Sequence, residues 1–108
     1  MINTQLKKGL LDTCVLSTLS RGDSYGYRIL KDLPESLDIS ESTLYPILRR
    51  LESGNCVTSY SLAHEGRLRK MYAITETGTR QIQEFMEDLK EIEEIFRYIE
   101  EGLHDDER

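Results

Sequence analysis

Apolar residues at helical spacing open the chain. From about residue 5 to residue 19 they are frequent enough to cover most of a helix's circumference. They are Leu6, Leu10, Leu11, Cys14, Val15, Leu16 and Leu19. The pattern predicts a helix that is buried on two sides. One side would pack on its own domain, and the other would meet either a second subunit or more of the same monomer.

A shorter second helix is predicted after the polar turn at residues 21–23, with Ser24 as its N-cap. Its inward-facing residues would be Ile29, Leu30 and Leu33. Pro34 limits the far end of this helix. Gly26 lowers the helix propensity of the first turn, which indicates either that another backbone comes close there or that the cost is tolerated.

The third predicted helix has two contrasting faces. It would begin after Ser40 as N-cap and stop at Gly54. At about 100° per residue, one stripe is apolar and comprises Leu44, Ile47, Leu48 and Leu51. The opposite face comprises Ser42, Pro46 and Arg49, with Thr43, Tyr45 and Arg50 on its flanks.

The polar face of the third helix has two interpretations. Hydroxyls, an aromatic ring and arginines suit a helix in a DNA major groove, where they reach phosphates and base edges. The same residue types also occur on ordinary solvated surfaces. Pro46 removes a backbone donor and Tyr45 is expected to be exposed, and neither is a natural choice for such a surface. We therefore favour DNA contact.

Two strand-like segments follow, at residues 57–62 and 68–75, and the connection at 63–66 has turn character. They predict a β-hairpin with three cations, Arg67, Arg69 and Lys70. Three helices followed by a basic hairpin is the order of a winged helix, in which such cations neutralise DNA phosphates. The alternative is that they keep an edge strand soluble.

The C-terminal segment predicts a long helix over residues 77–103, beyond a winged-helix domain at 1–76. Its apolar residues repeat at intervals of three and four and comprise Ile82, Phe85, Leu89, Ile92, Phe96, Ile99 and Leu103. This heptad seam extends over roughly 35 Å, which is long for so small a domain to cover. We favour contact with the same helix of a second subunit over intramolecular packing. Residues 104–108 should fray.

The charge is divided unevenly along the 108 residues. The net charge is −6, yet residues 1–80 hold eleven Lys/Arg and nine Asp/Glu, whereas residues 81–108 hold three and eleven. The acidity therefore belongs almost wholly to residues 81–108 and leaves the predicted DNA-facing part weakly basic.

A cytoplasmic location is expected, since no apolar run resembles a signal peptide or a membrane span. Cys14 and Cys56 fit this compartment as two unpaired thiols.

An enzyme is not indicated. The sequence has no glycine-rich phosphate loop, no nucleophile beside a histidine and no cysteine or histidine pair with metal-ligand spacing. We therefore expect no cofactor and no metal. His64 beside Glu65 in a turn is expected to be a solvated histidine that could make the hairpin mildly pH-sensitive.

Three short motifs follow one another along the chain. They are Tyr25-Gly26-Tyr27, the string STLYPILRRLE at 42–52 followed by Gly54, and the string RKMYAIT at 69–75 followed by Gly78. In this order they resemble the PadR-like transcriptional regulators over nearly the whole chain. The resemblance implies a winged helix-turn-helix dimer that represses promoters, is released by an effector, and dimerises through a single C-terminal helix.

The expected fold is therefore mostly α with a small β-hairpin (α+β), a winged helix-turn-helix carrying a long dimerisation helix. The candidate DNA-contacting residues are Ser42, Thr43, Tyr45, Pro46, Arg49, Arg50, Arg67, Arg69, Lys70 and Tyr25. A symmetric dimer predicts a pseudo-palindromic operator in double-stranded DNA, with half-sites about 34–36 Å apart or a multiple of that.

Two questions stay open at this point. A small-molecule effector would be expected where the first helix meets the partner's C-terminal helix, with Cys14, Phe85 and Phe96 as lining residues, although core packing explains them as well. The rival function is a winged-helix protein-interaction module with little DNA binding of its own, and the weak positive charge of residues 1–80 is its best argument.

Overall fold

The computed structural model describes residues 4–104. Along the chain lie α1 (Thr4–Ser20), β1 (Ser24–Tyr25), α2 (Gly26–Asp32), a 3-10 turn (Glu35–Leu37), α3 (Glu41–Ser53), β2 (Val57–His64), β3 (Arg67–Ile74) and α4 (Glu76–Leu103). The strands form one antiparallel sheet in the order β1-β3-β2. This confirms the predicted winged-helix fold class with its long C-terminal helix.

The core forms where α1, α2 and α3 meet in front of the sheet. Among residues 4–104 the largest fully buried side chains are Val15, Leu16, Leu19, Ile29, Leu44, Leu48 and Val57. The first six belong to the apolar positions predicted for the three helices, and Val57 begins the first predicted strand. Removal of such side chains from water is the main favourable term in folding. Tyr72 closes the core from β3.

The start of α2 differs from the prediction. Ser24 is not its N-cap but pairs with Tyr72 in the sheet, and Tyr25 takes the cap position. The helix begins at Gly26, so the extended residue directly before it, Tyr25, is the cap, and Ser24 lies one residue too early in the chain. Gly26 does have a close neighbour, but it is a side chain and not a backbone: a Cβ placed there would lie 2.5 Å from the Tyr45 hydroxyl oxygen.

The hairpin turn is tighter than predicted. Residues 63 and 64 belong to β2, and His64 pairs directly with Arg67 across a two-residue turn. Both turn residues have left-handed backbones, Glu65 with φ 50° and Gly66 with φ 76°. Two positive φ angles match the twist of the flanking strands, so a short turn replaces the expected four-residue loop.

Helix α4 begins on the domain and leaves it. Thr75 caps it, because its hydroxyl oxygen accepts from the Gly78 amide at 3.1 Å. The Phe85 ring packs against Gly9 of α1, where an added Cβ would lie 2.5 Å from a ring carbon. The molecule measures 67 × 26 × 22 Å, which reflects this projecting helix. The predicted helix is confirmed, whereas residues 105–108 of the predicted frayed tail lie outside the described part.

Candidate nucleic-acid interface

Helix α3 presents its polar face to solvent as the sequence predicted. Ser42, Thr43, Pro46 and Arg49 are exposed, opposite the four buried apolar residues of the stripe. The Ser40 and Ser42 hydroxyls lie 2.8 Å apart at the start of the helix. Because Pro46 has no amide hydrogen, the Ser42 carbonyl loses its helical donor and stays available to an outside one.

Tyr45 is more constrained than its neighbours. Its side chain lies across Gly26 at the start of α2, although the residue keeps 37% of its surface exposed. Any larger residue at 26 would collide with the ring. Tyr45 therefore packs the two helices of the helix-turn-helix together while part of its surface remains exposed.

Arg50 is turned towards the domain. Its guanidinium forms an ion pair and hydrogen bond with Asp12 of α1, whose side chain is only 13% exposed. The sequence does not predict this role, because the two partners lie 38 positions apart and no local pattern connects them. The pair fixes α3 against α1.

The three hairpin cations do not form one cluster. Since alternate residues of a strand point to opposite faces, Arg67 and Arg69 share one face of β3 and Lys70 lies on the other. The Arg69 guanidinium stacks on the Tyr25 ring at 4.2 Å, which joins two of the predicted site residues. Arg67 stands exposed beside the hairpin turn.

Lys70 faces α3 instead. Its ammonium lies 3.9 Å from a carboxylate oxygen of Glu52 in the last turn of α3, and 5.5 Å from the centre of the Tyr72 ring. The other Glu52 oxygen accepts a hydrogen bond from the Ser59 hydroxyl of β2. We call these three residues, Glu52, Ser59 and Lys70, the helix–wing bracket.

A second tie holds the hairpin near β1. The Tyr60 hydroxyl donates to a carboxylate oxygen of Asp23 at 2.7 Å. This hydrogen bond, with smaller contributions from desolvation and from the charge of Asp23, raises the pKa of the Tyr60 hydroxyl. His64, at the end of β2, also lies near β1: the centre of its ring is 6.3 Å from that of the Tyr25 ring. Its Nε2 lies 3.8 Å from a carboxylate oxygen of Glu65.

The predicted dimer seam divides into two parts. Ile82, Phe85 and Leu89 are half-buried, and the first of these packs against the core of the domain. The second part stays exposed and comprises Ile92 (48%), Phe96 (57%), Ile99 (56%) and Leu103 (76%). Ile95, beside it, is also exposed. A continuous apolar surface of this kind on a projecting helix is unusual for a protein that stays monomeric.

The residues proposed to line an effector cleft are not gathered within one chain. Phe85 lies on Gly9, and Phe96 lies on the exposed part of α4. Cys14 borders a separate open cavity of about 210 Å³, together with Thr18, Arg21 and three other residues. Burial raises the pKa of the Cys14 and Cys56 thiols, and the charge of Asp12 adds to this effect at Cys56.

No cluster of metal-binding side chains occurs among residues 4–104. Within the same range, no helix is both long enough and apolar enough to cross a membrane.

Comparison with known proteins agrees with this architecture. The profile of the transcriptional regulator PadR-like family matches residues 15–84. A transcriptional regulator from Clostridium thermocellum is 32% identical with a TM-score of 0.76, and the match covers 91% of this chain and 97% of that one. A PadR family regulator from Clostridium difficile is 29% identical with a TM-score of 0.75, over 82% and 96% of the two chains.

A further structure shows the likeness of the fold alone. It is Bacillus subtilis PadR in complex with operator DNA, which is 24% identical with a TM-score of 0.64, over 71% of this chain and 46% of that one. The family profile spans the last third of α1 to the first third of α4 and includes the helix-turn-helix and the hairpin. The chain therefore belongs to the PadR-like family of transcriptional regulators.

Proposed function

We propose that the protein is a sequence-specific repressor that binds double-stranded DNA as a homodimer. The observation that carries the proposal is the exposed polar face of α3, held in place by a fully buried stripe and flanked by a basic hairpin. A helix of this kind fits a major groove, and the hairpin would lie on the adjacent backbone. Bacillus subtilis PadR, which shares the fold, is seen with operator DNA.

The contacts support different proposed roles for the ten candidate residues. Ser42, Thr43 and Arg49 are exposed and would read base edges or phosphates, and Pro46 allows close approach of the helix. Arg67 would meet a phosphate from the hairpin tip.

The other candidates have partners within the chain. Tyr25 would orient Arg69, and Tyr45 would hold the helix at its angle while offering its ring edge. Arg50 and Lys70 are engaged by carboxylates, so their share in DNA affinity should be smaller.

Dimerisation would occur through the exposed part of the α4 seam. The proposed division is a DNA-binding domain at 1–76 and a dimerisation helix at 77–103. A two-fold dimer would place two α3 helices in successive major grooves and would select a pseudo-palindromic operator with half-sites about 34–36 Å apart or a multiple of that. Release of the operator by a small molecule bound between subunits completes the proposal, with Cys14, Phe85 and Phe96 as lining residues.

The family assignment also confirms that the chain is a regulator and not an enzyme. One rival keeps a specific observation in its favour: two of the predicted DNA-facing cations, Arg50 and Lys70, are neutralised within the chain. This would suit a winged-helix module that binds another protein.

A salt titration discriminates the two functions. The purified protein is titrated with a duplex from upstream of its own gene and with a random duplex of equal length, at two salt concentrations. We expect preference for the upstream duplex and an affinity that falls steeply with salt, since phosphate contacts release counterions. A stable dimer that binds neither duplex in dilute buffer would support the rival and refute the repressor.

A further inference from the structure

The bracket at the base of the hairpin joins the two elements that would touch DNA. Glu52 lies in the last turn of α3 and accepts from Ser59 of β2, while its second oxygen faces Lys70 of β3. One carboxylate thus contacts both strands of the hairpin. Its side chain is 35% exposed, so the contacts lie at the surface between helix and hairpin and not in the core.

A carboxylate is a costly choice at this position. The carbonyl end of a helix disfavours a negative charge, and a nearby DNA backbone would repel it. Lys70 offsets the charge of Glu52, but in doing so it gives up part of its own attraction for phosphate. The presence of Glu52 is therefore explained by its contacts with the hairpin and not by any attraction for DNA.

The length of the hairpin makes the position of its tip sensitive to the contacts of Glu52 at its base. From Ser59 to the hairpin turn at Glu65 the strand extends for six residues, or about 20 Å. A rotation of about 10° at the base would therefore move Arg67 by about 3 Å, which is the length of a hydrogen bond. Small changes at the bracket would misplace the tip relative to α3.

We propose that Glu52 is a positioning residue, which sets the angle between the recognition helix and the wing and so determines operator preference without touching DNA. This inference rests on the proposed DNA-binding function. If charge alone mattered, removing a carboxylate near DNA should tighten binding to every sequence. A positioning role predicts instead that loss of Glu52 weakens binding to the operator.

The test compares Glu52→Ala with Glu41→Ala, which removes the same charge from the exposed first turn of the same helix. We expect Glu52→Ala to weaken binding to the upstream duplex about tenfold, the equivalent of one charge-assisted hydrogen bond, while random-duplex affinity stays equal or rises. Ser59→Ala should lower operator preference without a change of charge. Glu52→Gln, which keeps an oxygen for Ser59, should recover part of the loss.

Two results would overturn the inference. One is a Glu52→Ala variant that binds both duplexes more tightly, as Glu41→Ala should. The other is equal weakening on both duplexes, which would leave operator preference unchanged. If the wild type itself shows no preference between the duplexes, the proposed function fails. Hydrogen exchange then tests the helix–wing bracket separately: the amides of residues 57–74 should exchange faster in Glu52→Ala. Unchanged exchange rates would refute a positioning role for Glu52.

Discussion

The Asp12–Arg50 pair leads to an asymmetric prediction for stability. The Asp12 side chain is 13% exposed and that of Arg50 is 41% exposed. Arg50→Ala leaves a nearly buried carboxylate without its cation, and a charge in that position is expensive. Asp12→Asn leaves a long cation that can turn into water. The two variants should therefore differ although they break the same pair.

The size of the difference follows from the same exposures. Breaking a fully buried pair costs about 3–5 kcal/mol, so for this partly exposed pair we expect Arg50→Ala to cost about 2–3 kcal/mol. Asp12→Asn should cost about 1 kcal/mol. The double variant should cost less than the sum by at least about 1 kcal/mol, since the two residues interact directly.

Equilibrium unfolding in urea, repeated at two protein concentrations to separate dimer dissociation, measures these differences. Arg49→Ala is the matched control, because this neighbouring arginine is exposed on the polar face of α3, and it should cost less than about 0.5 kcal/mol. Equal costs for Arg50→Ala and Asp12→Asn, or a cost for Arg50→Ala no larger than that of the control, would refute the reasoning.

Four further outcomes follow from the structure. Gly78→Ala should destabilise the fold by about 1–3 kcal/mol in thermal unfolding, because its Cβ would lie 2.3 Å from the Cys56 carbonyl oxygen; a stabilised variant would contradict this close approach. Ile99→Asp should shift sedimentation from dimer to monomer, since it places a charge in the proposed seam; an unchanged dimer would exclude that seam. Arg67→Ala should reduce the salt slope of DNA binding by about one unit and Lys70→Ala by less, and equal slopes would remove the distinction between them. Burial raises the pKa of the Cys56 thiol in the folded state, so this group should leave stability unchanged at neutral pH and lower it as pH rises past the ordinary thiol pKa of about 8.5. A Cys56→Ala variant that loses as much stability as the wild type above that pH would contradict this.

Much of the fold follows from periodicity in the sequence. The spacing of apolar residues predicted α1, α3 and α4 within a few residues of their bounds, because burial of one face is what stabilises each helix. The paired strands were predicted from alternation, and the exposed side of α3 from simple helical arithmetic. These features depend on residues that are close in sequence, so local pattern is enough to find them.

Tertiary structure alone decided what depends on residues far apart in the chain. Strand β1 exists because Ser24 meets Tyr72, and no local signal marks two residues as a strand. No local signal marks the carboxylate partners of Arg50 and Lys70 either. These partners distinguish the two cations from the exposed cations near them. Charge and side-chain type can be read from a sequence, but which charges neutralise each other depends on the packing of helices against the sheet, and that determines which cations remain free for DNA.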